Sequence, residues 1–261
     1  MPPCSSMSAV HEPQDFTAAP ASTALTSKAP PSPFLKVLVW DAPTRVCHWL
    51  MAASFAGAYL TAGQAGWQAV HQTLGYTMGG LVVFRILWGF VGTRYARFAN
   101  FVGGPRAVAD YLRELPHGWG KRHIGHSPAG AQGLFAMWLL TLVVGASGWA
   151  SDGTRAPDDW RELHEQAAQV MLALVGLHIA AVAFTSWRAG ENLLLSMIHG
   201  CKLGSASEAI RSACHGVAWL LMAAVLGFWG YQWKSTATAG SVAASPEPPV
   251  ADVRRDPGGK D

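Results

Sequence analysis

The chain has 261 residues with 19 Lys and Arg, 16 Asp and Glu and a formal net charge of +3; charged residues make up 13% of it and apolar residues 50%. A soluble domain carries about 25% charge, and a water-facing surface needs more charge than this to stay unassociated. The composition excludes a soluble single-domain enzyme, a nucleic-acid binder and a secreted disulfide scaffold, and points to a membrane protein.

Residues 1–33 are rich in Pro, Ala, Ser and Thr with no apolar run. They are expected to form a disordered cytoplasmic tail, not a secretory signal peptide. Charge then disappears in blocks: 39 residues separate Arg45 from Arg85, and similar gaps run from Arg122 to Asp152, Glu165 to Arg188 and Arg211 to Lys234. A hydrocarbon core about 30 Å thick takes roughly 20 apolar helical residues. Five segments meet that need, at about 46–63, 70–92, 131–150, 167–187 and 213–233. They are expected to be helices, because backbone polar groups in lipid must be satisfied within the segment and no alternating pattern appears. Trp40 and Trp49 before the first span and Trp67 after it suit interface anchors. Between the second and third spans, Pro105 opens a short helix with Val108, Tyr111, Leu112 and Leu115 on one face, suited to the membrane surface. Pro157, Asp158 and Asp159 open the helix that continues into the fourth span. The resulting division is a tail over 1–33, a four-span domain over 34–203, an additional transmembrane helix over 204–234 and a second disordered tail over 235–261.

Lys and Arg accumulate on the cytoplasmic side of such a chain. Lys28, Lys36 and Arg45 precede the first span. Arg94, Arg97, Arg106, Arg113, Lys121 and Arg122 fill the loop between spans two and three, and Arg188, Lys202 and Arg211 precede the last span. The opposite loops contain only Arg155 and Arg161. The expected orientation in a bacterial inner membrane is a cytoplasmic N-terminus and a periplasmic C-terminus.

Cys4, Cys47, Cys201 and Cys214 form no C-x-x-C pair, and Cys214-His215 lacks the upstream Cys of a c-type haem attachment. Thiolate-held zinc or iron–sulfur clusters are not expected; Cys47 and Cys214 read as small buried apolar residues. Neither a P-loop nor a dinucleotide-binding glycine fingerprint is present.

Ionisable residues within spans point to function. His48 lies near the cytoplasmic start of the first span, His71 near the outer start of the second, and His164 and His178 on the helix that forms the fourth. The 14 residues from His164 to His178 are nearly four helical turns, so both side chains project within about 40° of each other and about 21 Å apart along the axis. One metal cannot hold both; two stacked sites on one bundle face can. Depth then selects the partners: His48 with His178, and His71 with His164. Zinc prefers four protein ligands, or three and water. Haem iron already has four porphyrin nitrogens and needs only two axial ligands, and its apolar bulk suits a helix-bundle core. Gly75, Gly79, Gly80, Gly148 and Gly176 are placed where such a macrocycle could lie flat. His215, in the fifth span, has no partner at its depth and reads as a packing or quinone-site residue.

Arg85 is the one charge inside a span. It lies 14 residues after His71, hence on the same face and near the depth of the cytoplasmic pair. There it would meet a haem propionate, or else snorkel to the interface. Arg45, one turn before His48, has the same two readings.

These residues fall in a recognisable pattern. Trp40-Asp41-x-Pro43-x-Arg45-x-x-His48-Trp49, His71-Gln72-x-x-Gly75-Tyr76, Phe84-Arg85-x-x-Trp88-Gly89, Gly125-His126-x-Pro128-x-Gly130, Leu163-His164-Glu165 and Gly176-Leu177-His178 together resemble the bacterial cytochrome b561 family, which includes the Ni-hydrogenase b-type cytochrome subunits. The resemblance covers about 36–203. It implies a four-helix transmembrane bundle holding two non-covalent b haems with bis-histidine ligation. It also implies electron transfer between membrane quinone or quinol and a periplasmic partner, either a c-type cytochrome or a hydrogenase-type oxidoreductase subunit. The segment Met197-Ile198-His199-Gly200-Cys201-Lys202 resembles the family's basic closing motif with fewer basic residues, and the fifth span lies beyond the pattern. Two other readings remain open: a haem-containing sensor or anchor without turnover, and a proton or metal transporter whose histidines line a pathway.

Overall fold

The computed structural model describes residues 35–100, 106, 109–110, 113, 125, 128–152 and 157–243. In chain order these form strand β1 (Leu35–Leu38) and helices α1 (Ala42–Thr61) and α2 (Gln68–Val91), then a 3-10 turn (Phe98–Asn100). Helices α3 (Pro128–Ala150), α4 (Asp158–Ala189) and α5 (Leu193–His199) follow, then strand β2 (Cys201–Gly204), a second 3-10 turn (Ala206–Glu208) and helix α6 (His215–Ala243). The expected tail over 1–33 and the surface helix carrying Val108, Tyr111, Leu112 and Leu115 lie outside the described residues.

Local chemistry sets the helix ends. Asp41 caps α1 by accepting a hydrogen bond from the Thr44 amide at 2.8 Å, with a proline in the first turn, a pairing that satisfies an otherwise orphaned N–H and presets the helical φ. Gly63 (φ 68°) and Gly66 (φ 81°) then turn the chain into α2 through left-handed conformations that favour glycine. Helix α4 begins at Asp158, as expected from Pro157-Asp158-Asp159. It carries both aspartates in its first turn and Arg188 in its last, each complementing the helix dipole.

Helix α1 packs on α2, α3 on α4, and α2 on α3, while α6 lies against α1 and α2. Cys47, Leu81 and Val225 form the buried centre where α1, α2 and α6 meet, flanked by Leu50, Met51, Phe84, Leu221 and Trp229. The Trp229 indole N–H also donates to Thr77 Oγ1 at 2.9 Å. By length and mean hydropathy, α2, α3 and α4 are apolar enough to cross a membrane. Helices α1 and α6 fall outside that set; Arg45 and His48 dilute the start of α1, and Trp219, Trp229, Gln232 and Trp233 dilute α6. Helix α6 continues to Ala243, nine residues into the tail expected to lack structure from 235.

The sequence reading also missed a two-stranded antiparallel sheet. Strands β1 and β2 pair from Leu35 opposite Gly204 to Leu38 opposite Cys201. Four-residue strands are too short for alternation to be visible, and their partners are remote in sequence. The amides of Val39 and Trp40 extend the sheet by donating to Gly200 O at 2.8 and 3.0 Å, and the Ile210 amide donates to Leu38 O at 2.9 Å. Gly200 is required here: its φ is +86°, and a Cβ would lie 2.7 Å from Trp40 O. The Tyr95 phenol donates to Glu208 O at 2.9 Å. Burial raises its pKa, opposed by the charge of Arg94 and assisted to a smaller extent by Glu208. This cap ties the entry to α1, the exit from α2 and the segment before α6 into one end of the bundle. Cys47 is buried as expected. Cys214 is only half-buried and adopts a left-handed backbone (φ 52°) just ahead of α6, so it is not a core residue.

Candidate functional site

The histidines on one face of α4 meet histidines from two other helices. The rings of His48 (α1) and His178 (α4) have centroids 6.5 Å apart, with their planes at 51°. The rings of His71 (α2) and His164 (α4) are 6.0 Å apart, with their planes at 72°. These are the partners that depth alone selects. His215 is exposed at the first residue of α6 and joins neither pair.

Backbone contact is sparse between the helices that carry the paired rings. Although α1/α2 and α3/α4 pack closely, the helix pairs that carry opposed histidines, α1/α4 and α2/α4, do not. Positions where a Cβ would stand on Gly75, Gly79, Gly80 and Gly176 have no atom within 4 Å. Gly148 differs: its Cβ would lie 2.9 Å from Nδ1 and Cε1 of His164. Its smallness serves the imidazole, not a flat macrocycle, which corrects the expectation for that residue.

The donor set suits an octahedral iron that brings its own equatorial ligands. Two imidazoles on opposite sides of one metal, each bonded at about 2.0–2.1 Å, have centroids roughly 6–6.5 Å apart, and both observed separations lie in that range. Among the described residues no group of three or more His, Cys, Asp or Glu is placed to hold a metal. Two protein ligands per site match haem better than tetrahedral zinc.

The two pairs differ in what surrounds them. His71 Nδ1 lies 2.8 Å from Ala58 O, and His164 Nδ1 lies 2.9 Å from Val144 O. A carbonyl only accepts, so Nδ1 carries the proton in both rings and Nε2 presents its lone pair. His48 Nδ1 is buried with no hydrogen-bond partner among the described residues.

Arg85 does not snorkel. It is 4% exposed; its Nη1 donates to Ala96 O at 3.1 Å and its guanidinium stands 5.4 Å from the Trp138 ring centroid, a cation–π distance. Its Nη2 is buried with no acceptor among the described residues, the kind of orphan that calls for an anionic partner. Arg45 instead ties α1 to the end of α5: Nε donates to Asp41 O at 3.4 Å and Nη1 to Ile198 O.

The functional neighbourhood contains one residue whose role the sequence reading missed. Asp41, 1% exposed, accepts from the Thr44 amide and also from the Trp88 indole at 3.0 Å and the Thr93 hydroxyl at 2.6 Å. It thus joins the start of α1 to the exit of α2, about two turns before His48 and within electrostatic reach of Arg85. The available signal was an Asp just ahead of a proline-containing first turn, an N-cap pattern.

Comparison with known proteins follows the same lines. Residues 39–200 match the family model of prokaryotic cytochrome b561. A probable Ni/Fe-hydrogenase B-type cytochrome subunit of Rhizobium leguminosarum bv. viciae is 25% identical, with 64% of this chain and 89% of the relative covered. Another, from Bradyrhizobium diazoefficiens, is 23% identical, covering 63% and 85% respectively. No solved structure matches.

Proposed function

Because the chain belongs to the prokaryotic cytochrome b561 family, whose members are membrane b-type cytochromes, we propose that it binds two non-covalent b haems and passes electrons across a bacterial inner membrane. Membrane b-type cytochrome electron transfer is the function of the family, and haem b is its cofactor. The finer reading is a bundle of α1 to α4 within residues 34–203 with two bis-histidine sites, His48 with His178 and His71 with His164; α6 is a fifth span and the N-terminus is cytoplasmic. The observation that carries it is the pair of imidazole separations, 6.5 and 6.0 Å, distances at which two imidazoles would hold one metal between them.

When bound, haem supplies a one-electron Fe(III)/Fe(II) couple; the chain's residues do the rest. The four histidines fix position and orientation from rigid helices. Gly75 and Gly176, proposed to pack against haem, have no atom within 4 Å of their Cβ positions, and the apolar helix faces keep the dielectric low. Arg85, whose buried Nη2 has no acceptor among the described residues, is suited to a propionate; Arg45 is a second candidate, already engaged with α5. Quinone or quinol is the proposed membrane redox partner. The relatives' names support a hydrogenase-type oxidoreductase subunit as protein partner, with a periplasmic c-type cytochrome as the other candidate.

The test is a spectrum. Purified full-length protein in detergent, reduced with dithionite, is expected to show low-spin b-type bands and about two acid-extractable haems per chain. Quinol is expected to reduce them. Absence of haem rules out the cytochrome reading, and haem that quinol never reduces rules out the quinone link.

A further inference from the structure

Resting on the bis-histidine reading above, we propose that the main-chain carbonyls of Ala58 and Val144 act as positioning groups that lower the reduction potential of the His71/His164 site relative to the His48/His178 site.

Each ligand of the first site donates its Nδ1 proton to a helix carbonyl, His71 to Ala58 at 2.8 Å and His164 to Val144 at 2.9 Å. Such a bond moves negative charge onto the ring and makes Nε2 a more basic ligand. A more basic ligand favours ferric over ferrous iron, and in a low-dielectric interior the effect is weakly screened. Both ligands of this site have the bond. Neither ligand of the other has it among the described residues: His48 Nδ1 is buried with no hydrogen-bond partner, and His178 makes no hydrogen bond.

The two carbonyls are presented in the same way on α1 and α3. Thr61 Oγ1 donates to Gly57 O at 2.7 Å and also approaches Ala58 O at 3.2 Å. Ser147 Oγ donates to Val143 O at 2.7 Å and also approaches Val144 O at 3.2 Å. On each helix a hydroxyl three residues after the histidine-bound carbonyl shares that oxygen. Gly148 lets the His164 ring come this close, since a Cβ there would stand 2.9 Å from Nδ1.

Charge near the second site acts in the same direction. Cys47, the neighbour of His48, contacts Leu81 O, and Arg85 follows Leu81 by one turn, buried and with no carboxylate in hydrogen-bond contact among the described residues. A fixed cation favours the ferrous state of a nearby iron, and pairing with a propionate reduces that effect without reversing it. Both influences make transfer downhill from the His71/His164 site to the His48/His178 site.

The experiment is a spectroelectrochemical titration of the full-length protein and two variants. His48→Ala leaves the His71/His164 site, and His71→Ala leaves the other. The haem remaining in His48→Ala is expected to titrate below that remaining in His71→Ala by at least tenfold in reduction equilibrium, or 59 mV for a one-electron couple. The order is expected to persist in Arg85→Leu, because the carbonyl bonds remain. Should either histidine variant fail to assemble, Ser147→Ala serves in its place. Freeing Val144 O from the shared hydroxyl is expected to move the lower-potential wave of the two-haem protein further down, and to leave the upper wave unmoved. Equal or reversed potentials, or a Ser147→Ala shift confined to the upper wave, overturn the inference. A wild-type chain without haem defeats the underlying cytochrome reading instead, so the two failures are distinguishable.

Discussion

Substituting Gly148 by Ala places one methyl group against a ligand imidazole. The new Cβ would stand 2.9 Å from both Nδ1 and Cε1 of His164, whereas favourable carbon contacts begin at about 3.5 Å. The ring must therefore retreat by roughly 0.6 Å. Directed along the existing 2.9 Å bond to Val144 O, that retreat stretches it to about 3.5 Å, the margin of a hydrogen bond. It also exceeds the ~0.2 Å tolerance of a metal–ligand distance. Loss of an orienting partner costs about 10- to 100-fold in metal affinity, or about 1.4–2.7 kcal/mol. The expected result is selective loss from the His71/His164 site. Haem content of the purified variant, measured as pyridine haemochrome, falls from about two per chain toward one, and the remaining haem titrates like that of His71→Ala. Gly145→Ala is the control on the same helix: nothing lies within 4 Å of its Cβ position, and both haems are expected to stay. Two haems with unchanged potentials in Gly148→Ala refute the placement of His164 against α3.

Asp41→Ala removes the cap of α1 and leaves the Trp88 indole and Thr93 hydroxyl without their acceptor. One cap and two buried donors together amount to roughly 3–7 kcal/mol, so a large drop in the detergent melting temperature is expected; an unchanged melt contradicts the hub. Arg85→Leu is expected to weaken haem retention or shift the potential of the His48/His178 site, and an unaltered spectrum and redox titration remove the propionate role. Trp229→Phe is expected to cost about 1 kcal/mol by losing its bond to Thr77. A double-mutant cycle with Thr77→Val should show the coupling; independent effects contradict the docking of α6 on α2.

What the sequence revealed and what it hid follow from range. The 14 residues from His164 to His178 encode a shared helix face through the α-helical period alone, and their expected depths point to the histidines whose rings stand 6.0–6.5 Å away. The helix starting at Asp158 was equally visible, because Pro157 and two aspartates are local signals. Interactions between remote segments were not. The β1–β2 pairing joins four-residue strands from opposite ends of the domain, and Asp41 finds Trp88 and Thr93 only after α1 and α2 have packed. The burial of Arg85 depends on Trp138 from a third helix, so its charge alone could not decide between a snorkelling and a buried side chain. Gly148 looked like a bed for a macrocycle until the fold put the His164 ring above it.

The most direct test of the account removes each ligand in turn. His48→Ala, His178→Ala, His71→Ala and His164→Ala, purified and titrated spectroscopically, are expected to fall into two matched sets: the first two lose the same haem and the last two lose the other. A His178 variant that loses the haem lost by His71→Ala, or any grouping other than those two pairs, contradicts the paired sites on the α4 face.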